Sequence, residues 1–280
     1  MDNTTVLLLN THFIPRDRSL KIYLAKRKLR QGDKVVLIST QLIEAGVDID
    51  FPVLYRDFAT ISSIVQSAGR CNRNGKNAEK GKVVVVRLGT NQGERSSLIY
   101  QGPDKELIQF SRESFYESEN CEEKDMLNIQ KAFFEKICDQ LIFGAYGEKL
   151  KNNLMEDISQ CMYEKVGRFS LIDKNIFGEE YLYYVPRNDR DNNFELLLEY
   201  QKNLKESLSH KDKISIIRYH KRKLSNQLKK MSNRIVQMRF KQNQTKPITS
   251  SYEDYNGLYK ISTKCYNFDT GIIIDGDNYL

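Results

Sequence analysis

At about 150 residues per domain, 280 residues allow two modest domains, and a 40% apolar share with 13 Phe and 16 Tyr excludes wholesale disorder. Lys and Arg total 44 against 37 Asp and Glu, a net charge of +7 that favours an anionic partner. No apolar run nears the roughly 18 residues of a membrane span, Val6 to Leu9 is too short for a signal peptide, and five scattered Cys without a CxxC pair suit reduced thiols. The expectation is a soluble cytoplasmic protein with no membrane partner.

Val6 to Asn10 is a short apolar run, followed by Pro15 and a helical stretch to Gln31. Gly32-Asp33 breaks the chain before the apolar run from Lys34 to Thr40. Val53 to Phe58 and Val83 to Leu88 repeat the pattern, with a helix expected over Ile61 to Ala68. Continuous apolar runs of this length suit strands buried on both faces of a parallel sheet. Strand and helix in alternation predict an α/β layer fold. From 104 to 157 the chain is acidic and helical, with apolar spacing at Leu127, Phe133, Phe134, Ile137, Leu141 and Ile142. Residues 158 to 185 read as strand and turn, with Tyr181 to Tyr184 a half-buried strand, and Asn188 to Asn193 as an exposed loop. Phe194 to about Met231 reads as helix, and Leu258 to Ile261 and Gly271 to Asp275 as short strands. Between 201 and 241, 13 Lys or Arg face only 2 acids, so the positive charge is local.

Two blocks carry chemistry. In Ser39 to Asp50, a hydroxyl residue closes a strand, a short turn follows, and Gly46 leads to Asp48. Thr40 and Asp48 then fall on loops at the carboxyl edge of a parallel sheet, where α/β folds bind ligands. In Gln66 to Gly75, Arg70 and Arg73 lie three apart, so one helical turn aims both guanidiniums the same way. Paired planar forks suit the spreading charge of a phosphoryl group. Cys71, between them, reads as a packing residue, since no histidine lies nearby in sequence.

Together the blocks resemble motifs V and VI of superfamily 2 helicases, the second reading Gln66, Gly69, Arg70 and Arg73 without departure. The wording of Thr40 to Pro52 and of Gln66 to Arg73 is similar to the CRISPR-associated helicase–nuclease of type I interference systems. Asn10 to Arg18 resembles that family's motif IV region. Tyr163 to Asp173, Val185-Pro186 and a closing Tyr266…Gly271-Ile272 pattern are similar to its C-terminal domain. The resemblance is strong over residues 6 to 90 and looser beyond.

That resemblance implies ATP and Mg²⁺ between two RecA-like domains. Arg70 and Arg73 would be arginine fingers on the γ-phosphate. Gln66, Gly69, Gly46 and Asp48 would lie at the nucleotide, Asp48 touching the ribose or coupling it to the strand groove. Thr40 would contact the single-stranded DNA backbone. His12 also matches the family pattern. Lys221, Arg222 and Lys223 read either as the outer face of a surface helix or as a cap over the DNA channel, tracking phosphates with Tyr219 free to stack.

A Walker A loop needs glycines five apart before Lys and Ser/Thr, and only Gly271 and Gly276 have that spacing, with Asp277 next. The sequence contains no Asp-Glu dipeptide, and none of His12, His210 and His220 precedes an Asp. The expectation is therefore a C-terminal fragment. An N-terminally incomplete RecA-like parallel sheet would occupy 1 to 100, a helical linker 101 to 157, and a smaller α+β domain 158 to 280. Its partners would be single-stranded DNA, a first RecA-like and nuclease half, and a guide-RNA surveillance complex. Half of a generic superfamily 2 helicase, or a non-catalytic module binding nucleic acid or a partner, are the alternatives.

Overall fold

The computed structural model describes residues 4–44, 46–75, 80–91, 93–100, 104–115, 120–141, 155–167, 178–241, 243–250 and 254–274. Ile142, residues 168 to 173, Asp275, Gly276 and Asp277, used above, lie outside the described residues. In chain order the elements begin with β1 (Thr5–Leu9), α1 (Pro15–Arg30) and β2 (Val35–Ser39). There follow β3 (Val53–Asp57), α2 (Ile61–Ala68), β4 (Lys82–Val86), β5 (Gly89–Thr90) and β6 (Gly93–Glu94). Next come α3 (Arg95–Ile99), α4 (Asp104–Ser114), α5 (Met126–Leu141), α6 (Met155–Ser159) and α7 (Tyr163–Val166). The chain continues with β7 (Glu179–Tyr184), α8 (Asn193–Ser209), α9 (Ile214–Met231), β8 (Ile235–Phe240) and β9 (Leu258–Lys260). It closes with β10 (Tyr266–Asn267) and β11 (Gly271–Ile272).

These elements form two compact units, residues 1–42 with 177–280, and residues 43–176. The fold is mixed α/β with small sheets. β1 and β2 form a parallel pair in the first unit, and β3 and β4 a parallel pair in the second. Within each unit these expected strands make one parallel pair and no larger parallel sheet among the described residues. Nor are these strands buried on both faces. Val6, Val36 and Ile38 are 61, 47 and 54% exposed in the first pair, and Tyr55 is 73% exposed in the second. Among the described residues α1 packs against β1 and β2, and α2 against β3.

In the first unit the larger sheet has the order β8-β7-β9, antiparallel on one side and parallel on the other. β7 is therefore central, and Tyr183 and Tyr184 are each 1% exposed instead of half-buried. They point to opposite faces, as adjacent strand residues must. Tyr183 joins Ile14, Val236, Met238, Phe240 and Ile272, while Tyr184 joins Phe194, Leu197 and Met231 from α8 and α9. The expected helix from 194 to 231 breaks between α8 and α9, where Lys211 adopts φ 53°.

The weak closing pattern has a structural basis. The Tyr266 hydroxyl accepts from the Ile14 N–H at 3.2 Å and donates to Asp17 at 2.7 Å. Gly271, at φ +85°, lies so close to His12 that a Cβ would sit 2.8 Å from the His12 carbonyl. Ile272 N–H donates to that same carbonyl at 3.0 Å. Glycine is required there both by backbone conformation and by space.

In the second unit α2 is packed by Ile61 and Ile64 against Ile108, Phe110 and Phe133 of α4 and α5. The Ser111 hydroxyl accepts from Ile61 N–H at the start of α2. The helices expected as a linker therefore form the wall on which α2 rests.

Asp191 in the first unit is buried and accepts from the Tyr184 hydroxyl, from Arg187 N–H and from Asn193. Burial opposes its ionisation, but these donors outweigh it and hold the carboxyl down at about 2. The folded state thus binds fewer protons here than the unfolded chain. The stabilisation is complete above the ordinary carboxylate range and disappears as pH falls towards about 2. Its size is about 2 kcal/mol from the shift in affinity. Urea melts between pH 2 and pH 6 should show a shallower acid loss for Asp191→Asn than for the wild type; parallel curves would remove Asp191 as the cause.

Candidate functional site

Gly46, Asp48, Gln66, Gly69, Arg70 and Arg73 all belong to the second unit, while Thr40, Lys221, Arg222 and Lys223 belong to the first. Within the second unit the two sequence blocks are bound to each other. Phe51 and Cys71 form an isolated parallel bridge, with Phe51 N–H donating to the Arg70 carbonyl and Asn72 N–H to the Phe51 carbonyl. The backbone turns at Asn72, whose φ of 48° is tolerated best by Asn among side-chain-bearing residues. Asp50 then accepts from the N–H groups of Arg73 and Asn74 at 2.8 and 3.2 Å. The arginine-bearing segment is thereby fixed against the acidic turn.

The two arginines have different fates. Arg70 donates from Nε to the Ile43 carbonyl at 3.1 Å and from Nη2 to the Glu44 carbonyl at 2.8 Å. Carbonyls at the end of a short helical turn have no partner within it, and the guanidinium fork answers two at once. Arg73 is exposed, and its Nη1 pairs with Asp48 at 3.1 Å, with side-chain exposures of 41 and 73%. A pair this wet contributes at most about 1 kcal/mol and exchanges readily for another anion. Both guanidiniums face the segment from Ile43 to Asp50, though not by the expected helical turn, since α2 ends at Ala68 and a bridge at Cys71 and a positive φ at Asn72 separate them; Arg73 is the more exposed of the two.

Gly46 is exposed at φ +74°, a conformation that glycine permits and that lets the turn reverse before Asp48. Gly69 caps α2 with φ −62°, and a Cβ there would meet only ordinary contacts at 3.5 Å. Its backbone therefore does not demand glycine. Gln66 is exposed on α2, one turn before Arg70. Cys71 Sγ lies against the carbonyls of Pro52 and Lys82, and burial together with Asp50 pushes its thiol up. It packs, as expected.

Sequence reasoning missed Glu44, Arg56, Ser63 and Ser67. Glu44 Oε1 is 2.8 Å from Arg56 Nη2 and accepts from Ser63 Oγ at 2.8 Å. Arg56 also donates to Ser63 Oγ at 2.6 Å, and Ser67 Oγ reaches Glu44 at 3.4 Å. The side chains of Arg56 and Glu44 are only 15 and 10% exposed. An Arg inside the apolar run Val53 to Phe58 was the available signal, since a strand charge facing inward needs a partner.

In the first unit Thr40 is exposed after β2, its N–H donating to the Leu9 carbonyl at 3.3 Å. Lys221, Arg222 and Lys223 are exposed on α9, whose buried side carries Gln227 and Met231. Lys223 lies over the rings of Tyr219 and Tyr200, at 4.8 and 5.5 Å. Not all of the basic stretch is available: Arg234 is buried and donates to the carbonyls of Val185 and Pro186. Among the described residues no group of three or more His, Cys, Asp or Glu is placed to hold a metal ion. Among them also, no helix is long and apolar enough to cross a membrane.

Residues 1–76 match the family described as CRISPR-associated nuclease/helicase Cas3, C-terminal. The Cas3 of Methanothermobacter thermautotrophicus is 28% identical over 190 residues, covering 66% of this chain and 22% of that protein. The Cas3 of Haloferax volcanii is 47% identical over 81 residues, 29% of this chain and 9% of that one. The chain is a homologue of the Cas3 C-terminal region. The T. fusca Cas3-AMPPNP crystal structure shares its fold, with a TM-score of 0.51 at 14% identity, over 93% of this chain and 33% of that one. The match to curated Cas3 proteins thus spans about a fifth of their length or less.

Truncating the two arginines should have unequal costs. Arg70→Ala leaves two carbonyls without their donor and should lower stability by about 1–3 kcal/mol. Arg73→Ala, which breaks an exposed pair, should lower it by less than about 1 kcal/mol. Urea denaturation of both variants checks the order, and equal losses would contradict it.

Proposed function

We propose that the chain is the finger-supplying half of an ATP-dependent single-stranded DNA translocase of CRISPR interference. The observation that carries this reading is the exposed, exchangeable Arg73 guanidinium beside Asp48, fixed by Asp50 against the acidic turn. ATP with Mg²⁺, held by a Walker-bearing partner half, supplies the phosphoryl group to be cleaved. Arg73 fits such an anion, which would replace Asp48 in its pair. Arg70, already committed to two carbonyls, keeps the turn in shape or joins Arg73 after giving them up. Gln66, Gly69 and Gly46 lie exposed on the same two segments, where a nucleotide brought by a partner can reach them.

In this reading Thr40 and the outward basic side of α9 grip the DNA backbone, whose recognition needs charge and not base readout. The guide-RNA surveillance complex delivers that strand, a partner inferred from the Cas3 family alone. The purified chain by itself should show no DNA-stimulated ATP turnover. Mixed with a Walker-bearing half from a relative, it should restore turnover, and Arg73→Ala should lower kcat by about 10³-fold or more. Turnover by the chain alone, or full turnover without Arg73, overturns the proposal. DNA binding without complemented turnover would instead support the non-catalytic nucleic-acid-binding module.

The DNA contact has its own test. Neutralising Lys221, Arg222 and Lys223 together should flatten the dependence of log K on log salt for single-stranded DNA by up to about 2, at roughly 0.7 per phosphate. An unchanged slope would return these residues to an ordinary solvated helix face.

A further inference from the structure

We propose that Glu44 is the positioning residue of the arginine pair, acting through Arg56 and the serines of α2. It rests on the reading of Arg70 and Arg73 as phosphate-directed groups and adds what aims them. Glu44 holds two different connections. Its backbone carbonyl receives the Arg70 fork, and its side-chain carboxylate is gripped by Arg56 and by the Ser63 and Ser67 hydroxyls. The residue therefore joins β3, α2 and the acidic turn at one point.

The turn needs such a peg. Gly46, two residues on, has φ +74°, and a glycine in that conformation imposes little stiffness of its own. The carbonyls of Ile43 and Glu44 must nevertheless stay where the Arg70 fork can meet both. A carboxylate that is nearly buried and bound by Arg56 and Ser63 fixes its own backbone, and so fixes those carbonyls. Ser63 strengthens the peg by donating to Glu44 while accepting from Arg56, which closes a triangle of charge-assisted bonds. Ser67, 2% exposed, donates on one side to the Ser63 carbonyl and reaches Glu44 on the other. Arg70 begins three residues after Ser67, so the base of its side chain and its acceptors are held by the same cluster.

The test uses the full chain, ¹⁵N-labelled, and follows the Arg Nε–H resonances, with Arg70 assigned by its loss in Arg70→Lys. In Glu44→Gln the Arg70 Nε–H should exchange with water roughly tenfold faster, while the amides of α2 keep their protection. An unchanged Arg70 resonance in a folded Glu44→Gln overturns the proposal. If Glu44→Gln loses amide protection throughout, the uncharged pair Glu44→Leu with Arg56→Met takes its place, and retained Arg70 protection there overturns the proposal equally. In the complemented two-half enzyme, Glu44→Gln should lower kcat by about 10²-fold with KM for ATP nearly unchanged, as misplacement of a transition-state group does. Adding Arg70→Ala to Glu44→Gln should lower kcat little further, because both act on one arrangement. Wild-type kcat in Glu44→Gln overturns the proposal as well. No turnover from the wild-type mixture would count against the translocase reading, while the resonance measurement still decides the role of Glu44.

Discussion

The site depends on a guanidinium that has been spent on backbone. Arg70 and Arg73 are equals in the sequence pattern, three residues apart just beyond α2. Burial makes them unlike. Arg70 completes the hydrogen bonding of two carbonyls, and moving it exposes both to the cost of lost partners. Arg73 trades with a carboxylate that water already screens. An incoming phosphate has to outcompete only Asp48 for the second arginine, but must break internal structure to recruit the first. In the proposed translocase, two arginines of unequal readiness would let the site respond in two steps, the first of them cheap.

The rigidity behind that asymmetry comes from a chain of supports running outward from the arginines. α2 has only eight residues, too short to be stable alone. It is held on one side by Ile61 and Ile64 in the apolar contacts with α4 and α5, and on the other by Ser63 and Ser67 in the polar cluster with Glu44 and Arg56. Placing a charged pair in this position is costly, since an ion pair out of water gains little over an apolar pair of the same volume. Its return is direction. Apolar packing tolerates small slides of a helix, whereas a fork bound to a carboxylate and a hydroxyl accepts a narrow range of angles.

The sequence announced the local elements well and the partnerships poorly. The bounds Ile61 to Ala68 for α2 follow from a pattern of small and apolar residues between Thr60 and Gly69, and the structure reproduces them. β8 was missed although Val236, Met238 and Phe240 are buried and Gln237 is exposed, the period-two alternation of a strand. Dense basic residues on either side, and Arg239 within it, obscure that period. The order β8-β7-β9 could not be read, because apolar runs specify that a strand forms and not which neighbour it takes. The residues proposed to face a ligand are visible by type. Those that aim them, Glu44 and the two serines, are common residues whose role appears only when three segments meet.

The first unit makes the same point at long range. The segment after β1 is shaped by groups that arrive some 250 residues later, Tyr266 at Ile14 and Asp17, and Gly271 with Ile272 at His12. Lys21 on α1 is 2% exposed, its ammonium lying over the rings of Phe13 and Phe268 at 4.2 and 4.5 Å. Such closure is slow to form, because the long loop must be closed before its contacts reward it. Once formed, it leaves the loop from Asn10 to Arg18 little freedom to change alone. The shape of the segment from Asn10 to Arg18 is therefore set together with residues 266–272.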